Sequence, residues 1–241
     1  QLPAPTDDAG LLPDWPSDPE LEPYGSRMLP RFGLLLRGLA RFFFSRIDDE
    51  SCDVEPIREA ARKGSLVYVM RTRSVLDYLF FNNFVRNKGL PLARFANGVR
   101  AGRFAPLSKV LRSFWARLVW RRRSQRRLPD PIESGYLARL VRRGEPVLLF
   151  LRWGRKSLFG PKESEADVIE VLVRAQAERE DPIFLVPQIL VWERSPDRTN
   201  PGLLDVLMGP ADDPGFIRKT LIFLRYHRDA VVRLGDPVNL A

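Results

Sequence analysis

The chain has 241 residues, with 39 Lys and Arg against 30 Asp and Glu, one Cys, one His and a formal net charge of +9. This length suits one domain, or one and a half, with a sizeable hydrophobic core. The single Cys excludes a disulfide framework and a cysteine-rich metal site, and the single His excludes any site that needs two histidines.

The charge is unevenly distributed. Residues 1–26 hold six of the 30 acidic residues and none of the Lys and Arg, so the remainder carries a formal charge of +15. A body this basic predicts an anionic partner, either a phosphate compound, nucleic acid or a lipid surface. Because residues 1–26 also contain six prolines, we assign them to an acidic, proline-rich arm or linker. The chain starts at Gln1 without an initiator Met or a signal peptide, so we expect it to be a piece of a longer protein.

A helix is predicted over residues 30–46, where apolar residues and arginines alternate at helical spacing. The apolar run is too short and too charged to cross a bilayer. We therefore assign residues 27–54 to an amphipathic helical segment that either lies on a membrane or packs on the body of the domain.

From residue 55 onwards, helical patterns alternate with short apolar strands. This alternation predicts an α/β fold with a mixed, mostly parallel sheet flanked by helices, which we assign to residues 55–241. Predicted helices cover 55–64, 74–89, 105–118, 133–144, 164–180 and 215–227, with Gly89 and Gly144 as the predicted stops of two of them. Predicted strands cover 65–70, 118–120, 145–151 and 230–235. Residues 93–98 are predicted as a short strand or turn, and residues 182–192 as one long strand or a pair of strands.

A basic block lies between Tyr78 and Pro129, with 13 Lys or Arg and no acidic residue. Such a block is compatible with nucleic acid, a phosphorylated small molecule, an anionic leaflet or a merely solvated basic face. No helix-turn-helix, zinc-finger or ribonucleoprotein aromatic signature accompanies it, so we do not expect nucleic acid as the partner.

Residues 66–79 read LVYVMRTRSVLDYL, an apolar strand followed by Arg73, Ser74 and an Asp-Tyr-Leu. This segment resembles the first motif of the glycerol-3-phosphate and lysophosphatidate acyltransferase superfamily, which in the glycerol-3-phosphate branch runs His-Arg-Ser-x-x-Asp-Tyr. Segments similar to the family's other motifs follow in order at 88–99, 116–122, 150–160, 183–193 and 233–240. The resemblance implies the glycerolipid acyltransferase-type fold. It also implies transfer of an acyl chain from an acyl thioester to the hydroxyl of glycerol 3-phosphate, in phospholipid synthesis at the cytoplasmic face of a membrane.

The resemblance also implies roles for residues of this chain. In the family, the His is a general base that deprotonates the acceptor hydroxyl, and the Asp orients and polarises that His. Asp77 matches the Asp, and Thr72 stands at the position of the His. The substrate phosphate is expected at Arg73, Arg121, Arg122, Gly154, Arg155 and Lys156, and the acceptor-site motif at Arg152, Trp153 and Pro187. No metal and no bound cofactor is implied, and the acyl donor would be acyl-CoA or an acyl-carrier protein.

The sequence departs from the family pattern at the residues that would carry the chemistry. Thr72 has no useful basicity near neutral pH, and the only His in the chain is His227, for which we expect a structural role. Arg152 replaces the family's Glu and reverses its charge, and the bulky Trp153 replaces a Gly where the family keeps bare backbone near a phosphate.

Three interpretations remain open. The first is a domain that has lost catalysis and acts as a regulatory half beside an active acyltransferase domain elsewhere in a larger protein. The second is a working acyltransferase that relies on positioning an already activated thioester. The third is a module for anionic lipid surfaces, which uses the 30–46 helix and the Arg-rich stretch 117–127. The expected partners are an anionic membrane surface, glycerol 3-phosphate or a related phosphate ligand, and that active domain. The expected location is peripheral, on the inner face of the membrane.

Overall fold

The computed structural model describes residues 23–43, 52–72, 75–99, 105–124, 128–152, 168–192 and 230–241. Within these residues the chain forms six helices and six strands. The helices are α1 (Leu34–Phe43), α2 (Glu55–Lys63), α3 (Val75–Asn87), α4 (Leu107–Ser124), α5 (Tyr136–Arg142) and α6 (Val168–Ala177). The strands are β1 (Ser65–Thr72), β2 (Phe95–Ala96), β3 (Val147–Arg152), β4 (Ile183–Trp192), β5 (Ala230–Leu234) and β6 (Val238–Asn239).

The strands form one sheet in the order β2-β3-β1-β4-β5, and β6 also pairs with β4. Strands β2, β3, β1 and β4 are parallel, whereas β5 and β6 run antiparallel to β4. The predicted α/β fold with a mixed, mostly parallel sheet is therefore confirmed. The central strand β1 is paired along both of its edges.

Helices cover both faces of the sheet. Tyr68 and Met70 of β1 belong to a core with α1, α2 and α3, whereas Val67 belongs to a second core with α5 and α6. This double burial explains why the central strands are continuous apolar runs rather than alternating apolar and polar ones.

The segment before α1 is part of the folded domain. The backbone N–H of Ala96 donates a hydrogen bond to Ser26 Oγ (3.2 Å), and the Tyr78 hydroxyl donates one to the Ser26 carbonyl (3.0 Å). The last residues of the predicted arm, Pro23 to Ser26, thus contact the sheet and α3, while residues 1–22 lie outside the described residues. Helix α1 buries Leu36 and Ala40 in the same core. Of the two alternatives for this helix, packing on the body is the one that the structure shows for these side chains.

Helix α4 is where the sequence-based prediction was wrong. Residues 118–120 were predicted to begin a strand, but they are helical and belong to α4 (Leu107–Ser124). A run of three apolar residues does not distinguish helix from strand by periodicity. In the helix the three side chains point in different directions, so that Trp120 is 6 % exposed while Val119 is 43 % exposed. No helix among the described residues is long and apolar enough to cross a membrane.

The other predicted elements inside the described residues are present, with shifted ends. Strand β4 is one long strand rather than a pair, and α6 ends at Ala177, three residues before the predicted end, while residues 164–167 of the predicted helix lie outside the described residues. The predicted helix stops at Gly89 and Gly144 are confirmed, because both glycines adopt positive φ angles of 67° and 75°. The predicted helix 215–227 lies outside the described residues.

A buried asparagine extends the pairing of β2 with β3. Asn97 is fully buried, and its Oδ1 accepts a hydrogen bond from Phe150 N (2.7 Å) while its Nδ2 donates to the Phe150 carbonyl (3.1 Å). The side chain therefore takes the place of a further strand residue and satisfies both backbone groups of Phe150.

We expect Asn97→Ala to lower the free energy of unfolding by about 2–4 kcal/mol, because two buried backbone groups lose their partner. Urea unfolding followed by circular dichroism measures this loss. The matched control is Asn87→Ala, since the exposed Asn87 accepts a hydrogen bond only from the neighbouring Arg86; we expect it to change stability by less than about 0.5 kcal/mol. Equal losses for the two variants would contradict the role of Asn97.

Candidate functional site

The candidate site lies at the carboxyl edge of the parallel strands. Thr72 ends β1 and Arg152 ends β3, and the two residues are partners in the register of these strands. On the other side of β1, Pro187 of β4 pairs with Val69, which places Pro187 deeper in the sheet than Thr72. In open α/β sheets, ligands bind outside the carboxyl ends of the strands. The fold therefore brings two of the predicted site residues, Thr72 and Arg152, to the edge where a site is expected.

Asp77 follows this edge in the chain. It is half-buried in the first turn of α3, the helix that begins three residues after the end of β1. A carboxylate in the first turn interacts favourably with the positive end of the helix dipole. This position gives Asp77 a stabilising role that requires no catalysis. The connection between Thr72 and α3, which includes Arg73, lies outside the described residues.

Arg121 and Arg122 lie in the last turn of α4, followed by Arg123, and all three are exposed. Arginines are favourable there because the C-terminal end of a helix carries partial negative charge. In the part of the chain that the structure describes, these three side chains form no hydrogen bond or ion pair within the protein. Trp153, Gly154, Arg155 and Lys156 lie outside the described residues. Their role in holding a phosphate, like that of Arg121 and Arg122, stays a prediction.

Gln188 is a polar residue of this region that the sequence analysis missed. It follows Pro187 in β4, pairs with Met70 and Leu234, and is only 5 % exposed. Neither atom of its amide has a hydrogen-bond partner among the described residues. The sequence did offer one sign of this residue, because Gln188 is the single glutamine within the otherwise apolar run IFLVPQILVW.

Gln176 shows how a buried glutamine is normally satisfied. It is 8 % exposed, its Oε1 accepts a hydrogen bond from Ile183 N (2.6 Å), and its Nε2 donates to the Asp181 carbonyl (3.4 Å). It thereby fixes the start of β4 to the end of α6. A buried amide without such partners costs about 1–3 kcal/mol. Among the described residues, Gln188 therefore has hydrogen-bonding capacity that no neighbour uses.

The shifted pKa values in the described residues arise from burial. Burial raises the pKa of Tyr68 above its ordinary range, and the Tyr68 hydroxyl donates a hydrogen bond to the Pro91 carbonyl (2.8 Å). Burial, and secondarily the positive charge of Arg37, lowers the pKa of Arg86, whose guanidinium lies 4.7 Å from the centre of the Phe32 ring. Neither group is at the edge formed by Thr72 and Arg152. No cluster of three or more His, Cys, Asp or Glu that could hold a metal ion occurs among the described residues.

We expect Gln188→Leu to raise the free energy of unfolding by about 1–2 kcal/mol, because the unpartnered amide no longer has to be desolvated. Gln176→Leu is the matched control and should lower it by about 1–3 kcal/mol, since it removes two satisfied hydrogen bonds. Urea unfolding of both variants measures the difference. Destabilisation of similar size in both variants would mean that Gln188 has partners in the folded chain.

Comparison with known proteins connects this geometry to a family. Residues 111–241, more than half of the chain, match the family model described as the glycerol-3-phosphate acyltransferase PlsB N-terminal domain. The matched range includes Arg121, Arg122, Arg152 and Pro187, whereas Thr72 and Asp77 precede it.

Curated relatives agree with this match. The chain is 28 % identical over 228 residues to a glycerol-3-phosphate acyltransferase of Haemophilus influenzae (strain PittEE), which covers 89 % of the chain and 26 % of the relative. It is 28 % identical over 231 residues to that of Pasteurella multocida (strain Pm70), with 90 % and 26 % covered. It is 27 % identical over 220 residues to that of Colwellia psychrerythraea, with 87 % and 26 % covered.

The chain spans about a quarter of the length of these relatives. The resemblance to the glycerol-3-phosphate branch of the acyltransferases is thereby confirmed. The chain belongs to the family of the N-terminal domain of the glycerol-3-phosphate acyltransferase PlsB.

Proposed function

We propose that this chain is the non-catalytic N-terminal unit of a larger glycerol-3-phosphate acyltransferase. One observation carries the proposal: at the end of the central strand, where the family places its general base, this chain has Thr72, paired in register with Arg152. The length of the relatives supports it, because about three quarters of each lies outside the matched part and has room for an active domain.

The chemistry explains why this edge lacks the parts of an acyltransferase. A hydroxyl that attacks a thioester carbonyl must lose its proton as the new bond forms, and a positioned base makes this possible. Thr72 offers a hydroxyl with no basicity near neutral pH, and the single His of the chain, His227, lies outside the described residues. In the family, the Asp acts through the His, so Asp77 has no base to orient. Arg152 adds a positive charge where the family has a carboxylate.

The proposal includes a location and a ligand class. We infer that the unit is peripheral to the inner face of an anionic membrane and that its arginines interact with phosphate groups, either of lipids or of glycerol 3-phosphate. The charge of +15 outside residues 1–26 and the exposed Arg121 and Arg122 support this inference. Acyl-CoA or acyl-carrier protein, as acyl donor, then belongs to the active domain. The competing candidate is slow acyl transfer by positioning alone.

We expect the purified 241-residue chain to transfer no acyl group from palmitoyl-CoA or palmitoyl-acyl-carrier protein to radiolabelled glycerol 3-phosphate above the protein-free rate. The reason is the absence of a base at Thr72. Lipid extraction and scintillation counting measure the product. Turnover that disappears in Asp77→Ala would contradict the proposal and favour the working enzyme.

Thr72→His tests how far the site has diverged. We expect this variant to remain inactive, because Arg152 and Trp153 also depart from the family pattern. Activity in Thr72→His, lost again when Asp77→Ala is added, would show that only the base is missing and that the acceptor site is intact.

A further inference from the structure

Helix α4 exposes its apolar side chains. Five of them lie on one face at helical spacing and are between 43 % and 74 % exposed, and we call them the α4 stripe: Leu107, Leu111, Phe114, Trp115 and Val119. Among the side chains of this helix that the structure describes, only Trp120 is buried. A surface helix of a globular protein ordinarily turns its apolar face to the core.

The face of α4 that packs on the body is the more polar one. Lys109, Ser113 and Arg117 are half-buried on the same side as Trp120. The Arg117 guanidinium lies against Gly25 and occupies the space that a Cβ at Gly25 would need. Val110, Ala116 and Leu118 of α4 are half-buried as well, and Trp120 is its one buried side chain among those described. This orientation leaves the α4 stripe facing outward, and an apolar stripe with two aromatic rings marks an interaction surface.

Arginines border the stripe. With 3.6 residues per turn, Arg121 falls on one margin of the stripe and Arg112 and Arg123 on the other, while Arg122 follows it at the C-terminal end. All four are exposed. The helix contains no acidic residue, and neither does any other part of the block from Tyr78 to Pro129. The surface that the stripe contacts must therefore tolerate, or favour, positive charge.

This combination is typical of a helix that lies in a membrane interface. Leu, Phe and Trp enter the boundary between head groups and acyl chains, and Arg side chains extend to the lipid phosphates. Anionic lipids attract each basic residue that lies near the surface. The second exposed apolar pair, Ile169 and Val173 on α6, differs because an exposed carboxylate, that of Glu170, lies beside it.

We propose that α4 is the membrane-contacting element of this domain, lying flat on an anionic leaflet with the α4 stripe inserted and the bordering arginines at the head groups. This assignment rests on the peripheral location proposed above and deepens it. It also differs from the expectation from sequence, which placed the membrane contact in part at residues 30–46. Leu36 and Ala40 of α1 are in the core and are not available for lipid, whereas Leu34 at the start of α1 is exposed.

The first test is co-sedimentation of the 241-residue chain with vesicles of phosphatidylglycerol and phosphatidylethanolamine. Leu111→Asp with Trp115→Asp should weaken binding by about tenfold or more, because two apolar side chains no longer leave water. The control, Ile169→Asp with Val173→Asp, changes an exposed apolar pair on another helix and should leave binding unchanged.

Charge is tested in the same assay. Arg121→Gln with Arg122→Gln should weaken binding and reduce its dependence on salt, because exposed charges are screened over roughly 8–10 Å at physiological ionic strength. Arg62→Gln with Lys63→Gln, two exposed charges in the last turn of α2, is the control and should have no effect. Equal binding of the wild type to phosphatidylcholine vesicles would overturn the assignment to an anionic surface.

Labelling with a fluorophore tests the same contact if the Asp variants fail to fold. On a Cys52→Ser background, Leu111→Cys labelled with an environment-sensitive dye should shift its emission to the blue on anionic vesicles, and labelled Val173→Cys should not. The same absence of shift at both positions, with binding intact, would overturn the role of α4 but not the peripheral location. No binding by the wild type would overturn both, and neither result affects the acyl-transfer test.

A stable dimer that dissociates in Leu111→Asp with Trp115→Asp, without vesicle binding, would identify a second copy as the occupant and overturn the proposal.

Discussion

The pairing of β1 along both of its edges is the constraint on which the rest of the structure depends. Val69 lies between Leu149 of β3 and Pro187 of β4, so this strand cannot shift without breaking two ladders of hydrogen bonds. Its alternating side chains enter the two cores, one with α1 to α3 and one with α5 and α6. The register also fixes the end of β1, and therefore places Thr72 opposite Arg152.

The stability of this framework does not depend on the chemistry at its edge. Among the described side chains of the sheet, the buried ones are apolar except for Ser65 and Gln188, and the polar contacts of Gln176 fix the start of β4, at the opposite edge of the sheet from Thr72. A catalytic base at position 72 can therefore be replaced without loss of the core. This separation fits the proposal that the chain keeps the architecture of the family while Thr72 and Arg152 replace its base and its carboxylate.

Much of the fold was predictable because its elements have clear periods and stops. The apolar run of β1, the helix that ends at Gly89 and the one that ends at Gly144 were predicted correctly from apolar periodicity and the positive-φ tendency of glycine. Helix α4 was predicted over 105–118 but not beyond, because the apolar run 118–120 does not distinguish helix from strand. The sequence does not say which face a helix turns to the domain. That orientation follows from the packing of Arg117 on Gly25 and from the burial of Trp120.

The candidate site was predictable only in part, for a different reason. The resemblance to the acyltransferase family suggested Thr72, Asp77, Arg152 and Pro187 as site residues, and their role stays a prediction. Only the strand register shows that Thr72 and Arg152 are partners, because no sequence pattern links two residues that are about 80 positions apart. The unpartnered amide of Gln188 could not be recognised from the sequence, because hydrogen-bond satisfaction is a property of the folded chain.

The central claim is that the edge at Thr72 is not the place of acyl transfer. Its most direct test is the specific activity of the larger acyltransferase, of which we propose this chain to be a part, with Thr72→Ala and Asp77→Ala introduced together. The account predicts that kcat for acylation of glycerol 3-phosphate stays within about twofold of the unmodified enzyme, since neither side chain would contact the reacting atoms. A fall in kcat of about a hundredfold or more, in a variant that folds and retains its affinity for the acyl donor, would contradict it.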